Sequence, residues 1–109
     1  MQTITSLVQL TDLKASEPGL MVLFGGEQCG VCQVILPKLE ALMGEHYPKI
    51  KRVYVDCHAT PEVCAQVGVL SLPTLQVFLE GQCILEAVRT FSLQKVVADI
   101  KRPYELVFE

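Results

Sequence analysis

The chain has no surplus of positive charge. Twelve acidic residues stand against nine basic ones, a net charge of −3 at pH 7, with an isoelectric point near 5.3. A nucleic-acid binder ordinarily carries a basic excess or stripe, so no nucleic acid is expected as a partner. Long apolar runs are missing as well. The longest uncharged stretch, Val63–Leu79, is interrupted by Gln66, Gly68, Ser71, Pro73, Thr74 and Gln76. A spanning helix needs about 20 mostly apolar residues, so no membrane is expected either. The first residues, Met1-Gln2-Thr3-Ile4-Thr5-Ser6, lack the positive charge of a secretory leader, and the apolar run Leu20–Phe24 is too late and too short to be its core. Unless a leader has been removed, the chain reads as soluble, cytoplasmic and monomeric. It shows no Gly-X-Y period, heptad array or longer repeat, which excludes fibrous and solenoid architectures.

What remains is ample material for one core. The 109 residues are 50% hydrophobic and the mean hydropathy is +0.38, which argues against disorder. That length makes one domain, spanning residues 1–109. Ser6 is placed to cap a helix carrying Leu7, Leu10 and Leu13, which Pro18-Gly19 stops. Leu20–Phe24 is a continuous apolar run between glycines, the pattern of a strand buried on both faces. From Cys29, the residues Val31, Val34, Ile35, Leu39, Leu42 and Met43 give a helical period that should end near His46, with Pro37 inside it. Lys51–Cys57 alternates as a second strand. Thr60-Pro61-Glu62 has the cap, proline and acid of a helix start, and Gly68 ends that helix. Thr74–Leu79 and Cys83–Val88 form a hairpin around Glu80-Gly81. Ser92 caps a last helix, which Pro103 is expected to end. Residues 102–109 are then a C-terminal tail, read as an extended segment packing Tyr104, Leu106 and Phe108 on the body. Helices between strands imply parallel pairing, and the hairpin adds an antiparallel edge. The fold class is α/β: three layers around a mixed sheet of four to five strands, the fifth being a short strand near Thr3–Thr5.

Five cysteines cannot all pair within one chain. Cys29-Gly30-Val31-Cys32 lies where the buried strand hands over to a helix. A helix N-terminus offers unpaired N–H groups and the positive end of the helix dipole, so a thiolate is favoured and the thiol pKa falls toward neutral. Cys29, at the very start, is the candidate nucleophile. Cys32, one turn deeper on the same face, can close a disulfide with it and resolve a mixed disulfide. Gly30 keeps bulk away from an incoming substrate, and Val31 adds neither charge nor donor. Two other readings stay open: inert buried thiols, or half of a zinc site, which would need a second ligand pair at short spacing. Cys57, His58 and Cys64 lack that spacing.

Taken in order, the buried strand Leu20–Phe24, the Cys29-Gly30-Val31-Cys32 motif, Pro37, Val53-Tyr54-Val55-Asp56, Gly68-Val69-Leu70-Ser71-Leu72-Pro73-Thr74 and Glu80-Gly81 resemble the thioredoxin family over about Ser6 to Lys101. The resemblance implies a thioredoxin fold and a thiol–disulfide oxidoreductase. Its cofactor would be none beyond the redox-active Cys29–Cys32 disulfide. Its partners would be disulfide-containing proteins or small disulfides, with a thioredoxin-reductase-type enzyme or small thiols as reductant. The resemblance also implies that Pro73, by itself an ordinary proline at a strand start, is a cis-proline facing the dithiol, and that the backbone of Leu72 pairs with an extended substrate.

The sequence departs from the family pattern at several places. Gly25 and Gln28 stand where tryptophans usually flank the motif, and the chain has no Trp. Leu23 replaces a buried Asp that handles the proton of the second cysteine, Tyr54 replaces its companion Lys, Val31 replaces a Pro, and Arg89 replaces a docking Gly. Without the Asp, resolution by Cys32 is expected to be slow. Arg89 either favours the Cys29 thiolate or is a solvated rim residue, and Glu27 is a solvated loop acid or a substitute proton handler. Cys57 falls near the site's rim. It, Cys64 and Cys83 are read as small core residues, the alternatives being a Cys57–Cys64 disulfide or exchange between Cys57 and the main pair. These departures leave a second functional reading, a thioredoxin-fold interaction module or redox sensor with weak turnover.

Overall fold

The computed structural model describes all residues, Met1–Glu109. Its elements are β1 (Gln2–Ile4), α1 (Leu7–Ser16), β2 (Gly19–Gly25), α2 (Gly30–His46), β3 (Lys51–Asp56), α3 (Pro61–Gln66), β4 (Thr74–Leu79), β5 (Gln82–Val88) and α4 (Leu93–Phe108). The sheet order is β1-β3-β2-β4-β5. β3 lies parallel to both β1 and β2, while β4 runs antiparallel to β2 and to β5. The fully buried β2 is therefore the middle strand.

Alternation along β2 sorts the core into two halves. Met21 and Leu23 point toward α2 and α4, joining Leu39, Met43, Tyr47, Val96, Ile100 and Tyr104. Leu20, Val22 and Phe24 point the other way and pack with Leu10 of α1 and Val63 and Cys64 of α3. The result is the three-layer α/β/α arrangement expected from the order of elements. Ser6 caps α1 and Ser92 caps α4, each side-chain oxygen accepting an N–H three residues on. The hairpin turn at Glu80-Gly81 uses two positive φ angles, 50° and 82°, as a tight two-residue connection requires.

Two local expectations are corrected. Thr60 does not cap α3. Its hydroxyl donates to the Asp56 carbonyl at 2.8 Å, and Asp56 Oδ1 accepts the N–H groups of His58 and Ala59 at 2.9 and 3.1 Å. The carboxylate instead ties down the turn that precedes the helix. The second correction concerns residues 102–109, which are not a separate extended tail: α4 continues through Pro103 to Phe108. A proline inside a helix costs about 3 kcal/mol. The carbonyl it leaves unpaired belongs to Asp99, which is exposed and free to meet water. Against that cost stands an aromatic stack, with Tyr104 4.8 Å from both the Tyr47 and Phe108 ring centroids. Burying two such rings contributes about 1.5–3 kcal/mol each, and ring pairing adds about 0.5–1.5. Helical continuation wins because it sets Tyr104 and Phe108 one turn apart, so that their rings meet, and leaves Leu106 exposed.

Candidate active site

β2 ends in two glycines for steric reasons. A Cβ on Gly26 would run into the His58 imidazole, and one on Gly25 would stand 3.0 Å from Cys32 Cβ and 3.0 Å from the Tyr54 hydroxyl. Glu27 and Gln28 follow, both exposed, and Cys29 is the N-cap of α2 with φ −92° and ψ 99°. Its own N–H donates to the Gly26 carbonyl at 3.0 Å, and its Sγ accepts the Cys32 N–H at 3.3 Å. The Gln33 amide donates to Gly26 O at 3.1 Å, tying the loop to the first turn. One sulfur thus faces an otherwise unpaired helix donor and the positive end of a 17-residue helix; such a placement favours negative charge by about 0.3–2 kcal/mol.

Cys29 and Cys32 are joined as a disulfide, their Cα atoms 5.3 Å apart. Cys32 is fully buried and Cys29 half-buried, so one sulfur can be reached and the other lies behind it. Gly30 is exposed with open space where a side chain would be. Val31 is 56% exposed and shares a cleft of about 210 Å³ with Ile35, Arg89, Thr90 and Phe91. Arg89 makes no ion pair and lies on the rim, at a positive φ of 65°.

The register Phe24↔Thr74 brings Pro73 to the same end of the sheet, across from Gly25. The Leu72–Pro73 peptide is cis. The Pro73 carbonyl accepts the Arg89 N–H at 2.7 Å, and Thr74 Oγ1 donates to Ser71 O at 2.7 Å. The backbone N–H and C=O of Leu72 have no hydrogen-bond partner within the chain. Leu70, next to this segment, is 93% exposed.

A second pair lies close by. Cys57 N–H donates to the Gly25 carbonyl at 2.7 Å, and Cys57 is bonded to Cys64 in α3 with a Cα–Cα distance of 5.7 Å. Cys64 is in the core, as expected, but neither it nor Cys57 is a separate thiol. Because these two pair with each other, they do not complete a zinc site with the first pair, and no cluster of three or more His, Cys, Asp or Glu side chains forms elsewhere. Cys83 is corrected too. It is exposed on the edge strand β5, where nothing covers it, and its thiol donates to Leu85 O at 3.4 Å.

Two features of the site were only partly legible in the sequence. One is the Cys57–Cys64 bond, which stood there as the alternative to separate core thiols. Its only signal was a cysteine just past a strand followed by one in the next helix. The other is Tyr54, whose hydroxyl is buried without a partner. Burial, then the charge of Asp56, raises its pKa above the usual value; Gln33 opposes this and Glu27 adds to it. The signal here was the pairing of a large residue at 54 with a glycine at 25, visible only once the strands are in register.

A reversible sulfur pair, one atom reachable and one shielded, is the equipment of a thiol–disulfide oxidoreductase, and comparison with known proteins gives the same class. The thioredoxin family model matches residues 8–102. The chain is 38% identical over 92 residues to thioredoxin of Streptomyces clavuligerus, covering 84% of this chain and 81% of that one. It is 27% identical over 97 residues to the chloroplastic thioredoxin-like 3-2 of Arabidopsis thaliana, covering 88% of this chain but only 50% of that longer protein. Among solved structures, Fasciola hepatica thioredoxin superposes with a TM-score of 0.80 at 26% identity, covering 94% of this chain and 98% of that one. The chain belongs to the thioredoxin family and is a thiol–disulfide oxidoreductase.

Proposed function

We propose that Cys29 is the nucleophile and Cys32 the resolving thiol of this oxidoreductase, working on disulfides in proteins. In the reduced chain the Cys29 thiolate attacks a substrate disulfide. Its sulfur bonds one substrate sulfur, and the other leaves as a thiolate that takes a proton from solvent. Cys32 then loses its proton, attacks Cys29 Sγ and releases the second substrate thiol. The substrate gains two electrons and the chain keeps the Cys29–Cys32 bond. The observation that carries this assignment is the asymmetry of the pair: Cys29 is half-buried at the helix cap, its Sγ accepting the N–H of a fully buried Cys32.

Gly30, Val31, Leu72 and Pro73 are proposed to hold the substrate. The unpaired N–H and C=O of Leu72 fit the backbone of an extended segment, and the register of β4 against β2 leaves them at the dithiol's end of the sheet. Val31 and Leu70 supply apolar contact on either side. The chain needs no cofactor beyond its own disulfide. It would be returned to the dithiol by a thioredoxin-reductase-type enzyme or a small thiol, and would act as a monomer in the cytoplasm, where such reductants are held. Insulin reduction by the wild type and by Cys29→Ser tests the assignment. Turnover lost in the variant is the expected result. Negligible turnover in both would make the chain a thioredoxin-fold interaction module or sensor.

A further inference from the structure

The Tyr54 hydroxyl is buried and makes no well-formed hydrogen bond; the Gln33 side chain interacts with it but donates its Nε2 to the Gly26 carbonyl, and an unsatisfied polar group is costly in a native core. It is also close to the resolving cysteine. The Tyr54 Oη and Cys32 Cβ each lie 3.0 Å from the point where a Gly25 Cβ would stand, so they are at most twice that distance apart. A side chain at position 25 would crowd both groups, so Gly25 leaves them room. Tyr54 comes from β3 and Cys32 from α2, so only the fold brings them together. Leu23, the register partner of Tyr54 on β2, contributes no polar atom.

We propose that Tyr54 is a positioning residue for the second half of the reaction, donating its O–H to the Cys32 sulfur as that sulfur becomes a thiolate. The inference rests on the assignment of Cys32 as the resolving thiol. Cys32 gives its proton to water, attacks Cys29 Sγ, and the substrate sulfur departs with the bond's electron pair and is protonated by solvent. The phenol keeps its own proton throughout and acts as a hydrogen-bond donor, not a base. Its raised pKa, caused first by burial and then by Asp56, keeps it a donor at neutral pH. The charged and titratable groups around it are Asp56 on its own strand, Glu27 in the loop after β2, and Cys32 on α2. His58 packs on Gly26 beside them.

The test is the lifetime of the mixed disulfide between Cys29 and a cystine-containing peptide, acid-quenched and located by mass spectrometry, across pH 6–10. Wild type is compared with Tyr54→Phe, which keeps the ring and its packing. The adduct should form at an unchanged rate in the variant but decay about tenfold more slowly at neutral pH, with the midpoint of its pH profile moved upward; a hydrogen bond to a charged sulfur supports an effect of that size. Gly25→Ala, whose methyl would crowd both groups, should lengthen the lifetime similarly and add little in the double variant. Equal decay with an unmoved pH midpoint overturns the role of Tyr54. Slowing of both formation and decay without a pH shift overturns it too, as a structural effect. If no adduct forms at Cys29 even in wild type, the assignment of the nucleophile fails and the inference falls with it.

Discussion

The two disulfides lie on adjoining loops at one end of the sheet, yet they are built differently. Cys29 and Cys32 are three residues apart and close the first turn of a long helix; the Cys29 sulfur accepts a helix N–H, and its neighbours Glu27, Gln28, Gly30 and Val31 are exposed. Cys57 and Cys64 are seven apart and tie a strand end to α3, a helix of six residues with no side-chain cap. Cys64 sits in the same half of the core as Ile4, Leu10, Val53 and Val63, which holds no polar residue. The same bond therefore has two uses. At a helix cap, access and a stabilised anion make it exchangeable. Against an apolar core, where a thiolate would be poorly solvated, it is a staple.

Activity separates the two uses most sharply. Cys29→Ser should lower insulin reduction about a hundredfold or more, since the nucleophile acts as a unit with its partner. Cys64→Ala should leave it within a small factor. Equal losses in a turbidity assay would break the distinction. Stability should run the other way. Replacing Cys57 and Cys64 together by alanine removes a loop constraint worth about 2–3 kcal/mol, on the order of 10 °C in Tm for a domain of this size. The corresponding change at Cys29 and Cys32 encloses a shorter loop and should cost less. Calorimetry of the two double variants checks the ranking, and a larger loss at Cys29 and Cys32 reverses the reading.

The contrast also marks how far the amino-acid pattern reaches. The exchangeable pair was legible because everything that defines it is local: a continuous apolar strand, two glycines, four residues of motif and a helical period after them. The sheet order followed from alternation of helix and strand. The staple was only partly legible: a Cys57–Cys64 bond stood as the alternative to separate thiols, because the choice depends on where Asp56 turns the chain. The end of α4 misled for a similar reason. Pro103 is a local stop signal, and only the Tyr47 ring across the core explains why the helix ignores it. Tyr54 was visible as a departure from the family pattern, but its closeness to Cys32 depends on the register of β2 against β3.

A backbone hydrogen bond, Cys57 N–H to Gly25 O at 2.7 Å, links the two regions. A neutral bond of that kind is worth about 0.5–1.5 kcal/mol, which sets the scale on which its loss would disturb the exchangeable pair. Alkylation of Cys29 in the Cys57→Ala/Cys64→Ala background should thus change by less than about tenfold. A larger change would mean that the two loops work as one device.

The smallest expected effect concerns the two halves of the core that the sulfurs back onto. The half behind Cys32 contains Tyr47, Tyr54 and Tyr104, whereas the half around Cys64 contains no tyrosine. Burial raises the pKa of both Tyr47 and Tyr54, with nearby acidic groups adding to it. The unfolded chain ionises its tyrosines near pH 10, while the folded chain holds these protons longer. Above that pH the unfolded state binds fewer protons than the native state, so stability falls as pH rises. The stability these neutral phenols contribute is fully present below pH 10 and is lost as pH climbs through their raised values. Tyr54→Phe should flatten part of that alkaline slope. Hydrogen exchange at high pH should show α2 and α4 opening before α1 and α3; simultaneous opening of both layers would mean that the cooperative unit spans the sheet and that the two halves do not differ in this respect.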